Sequence, residues 1–308
     1  MNSVAPQEVE WVAVDWGTSN LRAWAMAGDR PLAAVSAPTG MAALARDAFE
    51  PALLKTIAPW LAAGRRLPVV ACGMVGARQG WVEVPYRSVP STPHAAAAMR
   101  AAPAADPRIA VTIVHGLSQA APPDVMRGEE TQIAGLLALE PGFAGTACLP
   151  GTHSKWVSVT DGRIAAFRTI MTGEIFALLS RQSVLRHSMG EGEGFDAAAF
   201  AQAVVEIAAD PAALGASLFS IRAAGLLGHV APEASRARLS GLLIGSELAA
   251  ARALRQDGSV TLIGEPALCR LYERGLAALG VAARTVDAEA CTLAGLAAAR
   301  RALLEQPA

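Results

Sequence analysis

Two short segments of this chain each put a glycine, hydroxyl side chains and one charged residue at the tip of what otherwise reads as a β-hairpin. The first is DWGTSN, residues 15–20, and the second is PGTHSK, residues 150–155. The N–H groups of such a tip form an anion-binding nest. Gly17 and Gly151 would let the backbone bend with φ > 0 and pass close to a ligand. Thr18, Ser19 and Asn20 add donors to the first tip, and Thr152 and Ser154 add them to the second. This is the chemistry of holding phosphate. Asp15 beside the first nest would repel a phosphate unless a cation lay between them. Mg²⁺ is suited to that place, because it binds through few carboxylates and keeps its waters. Lys155 would bring positive charge to the second tip, and His153 is either a ligand contact or an ordinary surface residue.

Between the tips, RGEETQIAGLLAL (127–139) reads as a helix that opens on Glu129 and Glu130. The positive end of a helix dipole favours ionised carboxylates there. A carboxylate so placed can cap the helix or take the proton of an attacking hydroxyl. Arg127, just ahead of it, and Arg168 can each pair a carboxylate through two parallel hydrogen bonds, or can form an ordinary salt bridge. The polar and aromatic loop around Gly76 and Tyr86 would complete a pocket for a small acid.

The elements that must position these residues fall into two similar series. VEWVAVD, NLRAWAMA and PLAAVSA read as an antiparallel meander joined by tight turns. A helix is expected over 49–64, a buried strand over 67–74 and another strand over 108–117. Residues 146–171 then repeat strand, polar tip, strand, turn and strand. Alanine- and leucine-rich helices fill the stretch from about 174 to 256. A strand at SVTLIGE, a helix, a short strand and a closing helix at 291–305 end the chain. The repeat predicts an internally duplicated α/β fold. Its domains should be residues 1–127 and 128–308, with helix 291–305 returning to the first.

The bulk composition narrows the function. Of 308 residues, 53% are hydrophobic and 17% charged, enough apolar surface for two cores. A net charge of −1 without a basic stripe argues against nucleic acid as a partner. The four cysteines are isolated and never form CxxC, so they read as buried small hydrophobes in a reduced, cytoplasmic compartment. No apolar run approaches the roughly 20 residues of a membrane span. The sequence leaves oligomeric state open, a homo-oligomer included.

DWGTSNLR resembles the first phosphate motif of the actin-like sugar kinases, LPGTHSKW the second, and LIGEPAL a reduced adenosine motif. More narrowly, DWGTSNLRAW, ACGMVGARQGW, VPYRSVP, VMRGEETQ, LPGTHSKWV, FRTIMTGE and SGLLIGSE together resemble the 2-dehydro-3-deoxygalactonokinases, in the family's order over residues 15–247. The resemblance implies an α/β, two-lobed actin-like (ribonuclease H-like) ATPase fold with duplicated β-meander phosphate turns. It also implies ATP and Mg²⁺. The γ-phosphoryl would pass to the 6-hydroxyl of 2-dehydro-3-deoxy-D-galactonate in galactonate catabolism. Asp15 then takes the Mg²⁺-associated position. Gly17, Thr18, Ser19 and Asn20 form the first phosphate turn, and Gly151, Thr152, His153, Ser154 and Lys155 the second. Gly264 marks the adenosine segment, where the superfamily's usual paired glycines are reduced to one. The base is an aspartate after a glycine in related sugar kinases. Gly128-Glu129 takes that place, and whether Glu129 or Glu130 is the base stays open. Arg127, Arg168, Gly76 and Tyr86 are the candidates for the sugar acid.

Three other readings share the fold: a kinase for another keto-deoxy acid or a hexose, a phosphohydrolase, and a sugar-responsive transcription factor. A water nucleophile would need no acid pocket, and no helix-turn-helix or basic segment precedes Asp15.

Overall fold

A computed structural model of the chain describes residues 4–190, 194–228, 230–255 and 258–305. The opening meander is β1 (Trp11–Trp16), β2 (Leu21–Ala27) and β3 (Arg30–Ala37). Helix α1 (Phe49–Ile57) and β4 (Leu67–Gly73) follow. The helix stops short of the expected residue 64 because Pro59 has no N–H to donate to the Lys55 carbonyl, and one 3₁₀ turn at Ala58–Trp60 carries the chain on. Short strands β5 (Arg87–Ser88) and β6 (Arg100–Ala101) lead to β7 (Ile109–Ile113), β8 (Leu117–Gln119), β9 (Asp124–Met126) and helix α2 (Glu129–Leu139).

The second series is β10 (Gly145–Leu149), β11 (Ser154–Thr160), β12 (Arg163–Ile170) and helices α3 (Thr172–Arg181), α4 (Ala197–Ala209), α5 (Leu214–Leu226) and α6 (Pro232–Ala250). It closes with β13 (Ser259–Gly264), α7 (Pro266–Ala278), β14 (Ala282–Asp287) and α8 (Ala288–Leu304).

The two main sheets repeat one plan. The first has the order β3-β2-β1-β4-β7-β6, the second β12-β11-β10-β13-β14. In each, the leading strand pairs antiparallel with its hairpin partner (β2 or β11) and parallel with the strand on its other side (β4 or β13). The duplicated ribonuclease H-like order, with a phosphate-type turn at each leading hairpin, is the expected α/β actin-like fold. Among the described residues no single helix is long and apolar enough to cross a membrane.

The described residues divide into two compact units, one of 4–143, 160–165 and 287–305, the other of 144–159 and 166–286. Helix α2 thus groups with the first unit, where the expected boundary at 127 put it in the second, and α8 groups there too. The ends of both expected domains, 1–3 and 306–308, lie outside the described residues.

Both faces of the first sheet are covered, which is why β1 reads as a continuous apolar run rather than an alternating one. Val12, Val14 and Trp16 pack with Phe49, Leu53 and Ile57 of α1 on one face. Trp11 and Ala13 pack with Leu296, Ala297 and Ala299 of α8 on the other. In the second unit Cys148, Trp156, Val260 and Leu262 of the sheet pack on Phe200, Ile244 and Tyr272 of the helices.

Helices α2 and α8 meet backbone to backbone. A β-carbon at Gly135 would fall 1.7 Å from the Cys291 carbonyl oxygen, and one at Gly295 would fall 1.9 Å from that of Thr131. Even a methyl group must push the helices apart. Gly135→Ala should therefore destabilise the protein by about 1–3 kcal/mol, the usual range for overpacking, although alanine favours helix by about 1 kcal/mol over glycine. Urea denaturation checks this, and an unchanged midpoint would mean the helices part freely.

Candidate active site

Asp15 ends β1, opposite Arg22 on β2 and Cys72 on β4. Its side chain keeps 29% of its surface open, with the Arg22 guanidinium 4.0 Å away. Burial raises its carboxyl above the ordinary aspartate range. Arg22 pulls it down, Glu129 pushes it up, and the Cys72 thiol, 3.9 Å away, pulls it down by donating to Oδ1. Gly73, at the end of β4, has φ +89°, and a β-carbon there would lie 2.7 Å from the Trp16 carbonyl oxygen. Gly128, just ahead of α2, has φ +110° and lies directly over the Cα of Gly73. This stacking of β1, β4 and the start of α2 brings Glu129 within electrostatic reach of Asp15.

The two glutamates of α2 differ sharply. Glu129 is half-buried, and its Oε2 accepts from the Arg127 N–H at 3.1 Å. Glu130 is fully buried, and its Oε2 accepts from the Gly128 N–H at 2.7 Å. Burial, reinforced by the charge of Glu129, pushes the Glu130 carboxyl up to about 8. Glu129 is the one open to a ligand.

Arg127 is buried, and one Nη2 hydrogen goes to the Val84 carbonyl at 2.6 Å. The guanidinium stacks on the Tyr86 ring, 4.3 Å from its centroid, while its Nε and Nη1 meet no acceptor. Gly76 leaves it room, because a β-carbon there would lie 2.8 Å from Nη1. The Val84 bond uses a single hydrogen, so one of the two paired-donor edges of the guanidinium stays complete. Buried His115 feels the same field: burial lowers its pKa, and the charges of Arg87 and Arg127 add to that. A buried cation with unmet donors is costly without an anion, so this pocket suits a carboxylate.

The first turn is held from behind. The N–H groups of Gly40, Met41 and Ala42 donate to the carbonyls of Ser19, Gly17 and Thr18 at 3.0 Å each, while the side chains of Thr18, Ser19 and Asn20 stay exposed. Neither Gly17 nor Gly151 has the positive φ expected of it. The hairpins close without it, and the left-handed glycines are Gly73 and Gly128 instead. A β-carbon at Gly151 would meet nothing within 4 Å, so the second tip leaves open space.

In the second unit Thr152 is exposed, and His153 donates from Nε2 to Glu174 in the first turn of α3. Lys155 is buried, with Nζ donating to the His153 carbonyl at 3.2 Å. The Ser154 hydroxyl faces inward, 2.8 Å from the Tyr272 oxygen. It therefore cannot donate outward as expected, and only the backbone of Ser154 is left for the tip. A cavity of about 150 Å³ adjoins this tip, lined by Gly151, Gly173, Phe176, Leu243, Leu268 and Tyr272. Gly264, expected at the adenosine, is not among its lining residues and instead supports the tip, 3.3 Å from the Pro150 carbonyl in β-carbon terms. Arg168 is exposed on β12 in this unit, beside a separate cavity, whereas Arg127, Gly76 and Tyr86 belong to the first unit.

The sequence pattern of the 2-keto-3-deoxy-galactonokinase family matches residues 15–299. The chain belongs to this family. It is 42% identical to a probable 2-dehydro-3-deoxygalactonokinase of Rhizobium meliloti, over 95% of this chain and 97% of that one. It is 34% identical to the 2-dehydro-3-deoxygalactonokinase of Escherichia coli, over 93% and 96%. Its structure matches the crystal structure of a candidate 2-dehydro-3-deoxygalactonokinase from Sinorhizobium meliloti with a TM-score of 0.88 at 40% identity, covering 96% of this chain and all of that one. In this member of the family, sequence reasoning missed Gly40, Gly73 and Val84 in the first unit and Glu247 and Tyr272 in the second. Each acts through a long-range backbone or buried contact that leaves no local signal.

The protonated Glu130 has a measurable consequence. An unfolded glutamate ionises near 4.5, whereas the folded one holds its proton to about 8. Between those values the folded state binds more protons, so stability falls as pH rises. Glu130→Gln keeps an acceptor for the Gly128 N–H and has no proton to lose. Its stability relative to the parent protein should therefore climb from pH 5 to pH 8 in urea titrations. Parallel pH dependence in both would show Glu130 ionised in the folded protein.

Proposed function

We propose that this protein is an ATP-dependent sugar-acid kinase that phosphorylates the 6-hydroxyl of 2-dehydro-3-deoxy-D-galactonate, yielding the 6-phosphate and ADP. Its family membership supports the kinase chemistry. The buried, unmet guanidinium of Arg127 carries the choice of an acidic acceptor. A hexose of similar size would leave that charge unpaired, and an unpaired buried charge costs roughly 2–5 kcal/mol.

In this reading Arg127 pairs the substrate carboxylate, with Tyr86 and Gly76 fixing the plane and position of its guanidinium. Glu129 accepts the proton of the 6-hydroxyl as its oxygen bonds to the γ-phosphorus and the bond to the β-phosphate oxygen breaks. Glu130, neutral at physiological pH, orders the helix start through Gly128 and is not the base. In the first unit Thr18, Ser19 and Asn20 offer donors to phosphate; in the second Gly151, Thr152 and His153 do, and Lys155 sits behind that tip as a compact positive charge. The apolar cavity beside Gly151 suits the adenine ring.

Asp15 is the residue that would hold Mg²⁺, through water. Burial and the neighbouring Glu129 both raise its proton affinity, and a cation relieves both. When bound, the ion neutralises charge on the phosphates.

The deciding experiment is ATP-dependent phosphorylation across keto-deoxy sugar acids and hexoses, with the product located by NMR. The expected result is a 6-phosphate from the galactonate derivative, with hexoses about 10²-fold poorer or worse, as the loss of a buried charge pair requires. ATP hydrolysis that no acid stimulates would favour a phosphohydrolase.

Two variants divide the roles. Glu129→Gln should lower kcat by about 10²- to 10⁴-fold, the usual value of a general base, with little change in either KM. Equal and mild effects at Glu129 and Glu130 would leave positioning and the metal ion as the whole of catalysis. Arg127→Lys should raise the KM for the sugar acid at least tenfold and leave that for ATP unchanged, because a point charge replaces a planar fork. An unchanged KM for the acid would move its carboxylate elsewhere.

A further inference from the structure

Glu247 lies in the last turn of α6 with 1% of its surface exposed, and no step above uses it. Its Oε1 accepts from Trp156 Nε1 at 2.7 Å, and its Oε2 accepts from the Tyr272 hydroxyl at 2.7 Å. Thr172, the first residue of α3, also hydrogen-bonds to it. Tyr272 in turn lies 2.8 Å from Ser154 Oγ. A tyrosine has one hydroxyl proton, and this one goes to the carboxylate. The Ser154 proton must therefore point inward, to Tyr272 or to Glu247 itself, away from the second tip.

Each partner touches the surroundings of that tip. Ser154 closes it and Trp156 lies two residues along β11. Thr172 opens the helix whose Gly173 packs on the Gly151 carbonyl, with 2.4 Å to a β-carbon there, and whose Glu174 N–H donates to the Thr152 carbonyl at 3.0 Å. Thr172 and Tyr272 both line the cavity beside Gly151. One carboxylate thus ties together β11, α3 and α7, the three elements that shape the tip and its cavity.

We propose that Glu247 is a positioning residue for the nucleotide: its buried carboxylate fixes the second turn and the wall of the adjoining cavity in register, without touching ligand. The role rests on the kinase reading. Donors converge on Glu247 from four side chains, Thr172, Tyr272, Trp156 and Ser154, and only a carboxylate accepts them all. Glutamine offers one oxygen and turns two N–H donors toward donors, so Tyr272 or Thr172 must rotate and Ser154 loses its fixed orientation. Burial raises the Glu247 pKa, and the hydrogen bonds from Thr172, Tyr272 and Trp156 oppose that rise.

Glu247→Gln and Tyr272→Phe test the role on the full-length protein. Calorimetry with a non-hydrolysable ATP analogue measures nucleotide affinity, kinetics give KM for both substrates, and urea titration gives stability. The expected result is at least a tenfold loss of nucleotide affinity for Glu247→Gln, a smaller loss for Tyr272→Phe, and a KM for the sugar acid within twofold of the parent. Nucleotide affinity unchanged in both variants, with only stability reduced, would overturn the proposal. If Glu247→Gln does not fold, unchanged affinity in Tyr272→Phe and Ser154→Ala would overturn it equally. A parent protein that binds no nucleotide would overturn the kinase reading, and this role with it.

Discussion

A β-carbon at Gly73 would stand 2.7 Å from the Trp16 carbonyl, and one at Gly128 would stand 3.5 Å from the Gly73 Cα. The ends of β1 and β4 and the start of α2 therefore meet main chain to main chain, in conformations that L side chains rarely adopt. That contact sets the distance between Asp15 and Glu129, and the rest of the first unit is arranged to keep it. Helix α8 is pressed onto α2 through Gly135 and Gly295, and its apolar face covers β1 and β4 from below. From the other face, Trp16, Phe49 and Trp81 form a ring cluster with centroids 5.1 to 6.5 Å apart. Main-chain contact fixes the Cα positions of Asp15 and Glu129 and leaves only their own short side chains to vary.

The cost of that closeness is electrostatic. Asp15, Glu129 and Glu130 are neighbours, and burial alone raises the first and the last. Three carboxylates cannot all stay ionised so near one another. The fold separates them by environment: Glu130 keeps its proton in the dry interior, Asp15 opens partly to solvent beside Arg22, and Glu129 lies between. Arg127 adds a cation that no neighbour neutralises at Nε and Nη1. Its position is again set by main chain, through the Val84 carbonyl and the space left at Gly76.

Much of this was legible in the sequence because it is local. A polar tip between two apolar β-runs reads directly from DWGTSN and PGTHSK, and its repetition gives the duplicated fold. Helix ends follow proline, although the stop at Ile57 needed Pro59 to be weighed against a strong apolar pattern. Which of the two glutamates is buried was not legible. Glu129 and Glu130 share a helix turn, a dipole and a residue type, and only the burial of Glu130 tells them apart. Positive φ was expected at the tips, where glycine stands next to polar residues, yet it lies at Gly73 and Gly128, where strands and helix cross. Ser154 was expected to face outward. Its partner Tyr272 is 118 residues away, and Trp156 and Glu247 are separated by 91. No local pattern reports bonds of that span.

The two copies of the hairpin also show how one scaffold divides chemistry between its halves. Aligned on Gly17 and Gly151, Asp15 of the first copy corresponds to Leu149 of the second, which is buried in the sheet. The second copy instead carries Lys155 directly after its tip, with the ammonium on the tip's own His153 carbonyl. A carboxylate behind a nest of N–H groups draws in a cation, whereas an ammonium there strengthens the nest for an anion and repels a metal. The two turns thus differ in the sign of the charge behind them, negative at the first and positive at the second. The second copy has its acid too, but Glu247 lies beneath the strand with its oxygens spent on Trp156 and Tyr272. With donors from Thr172, Tyr272, Trp156 and Ser154 around its two oxygens, this buried carboxyl leaves a metal no open approach.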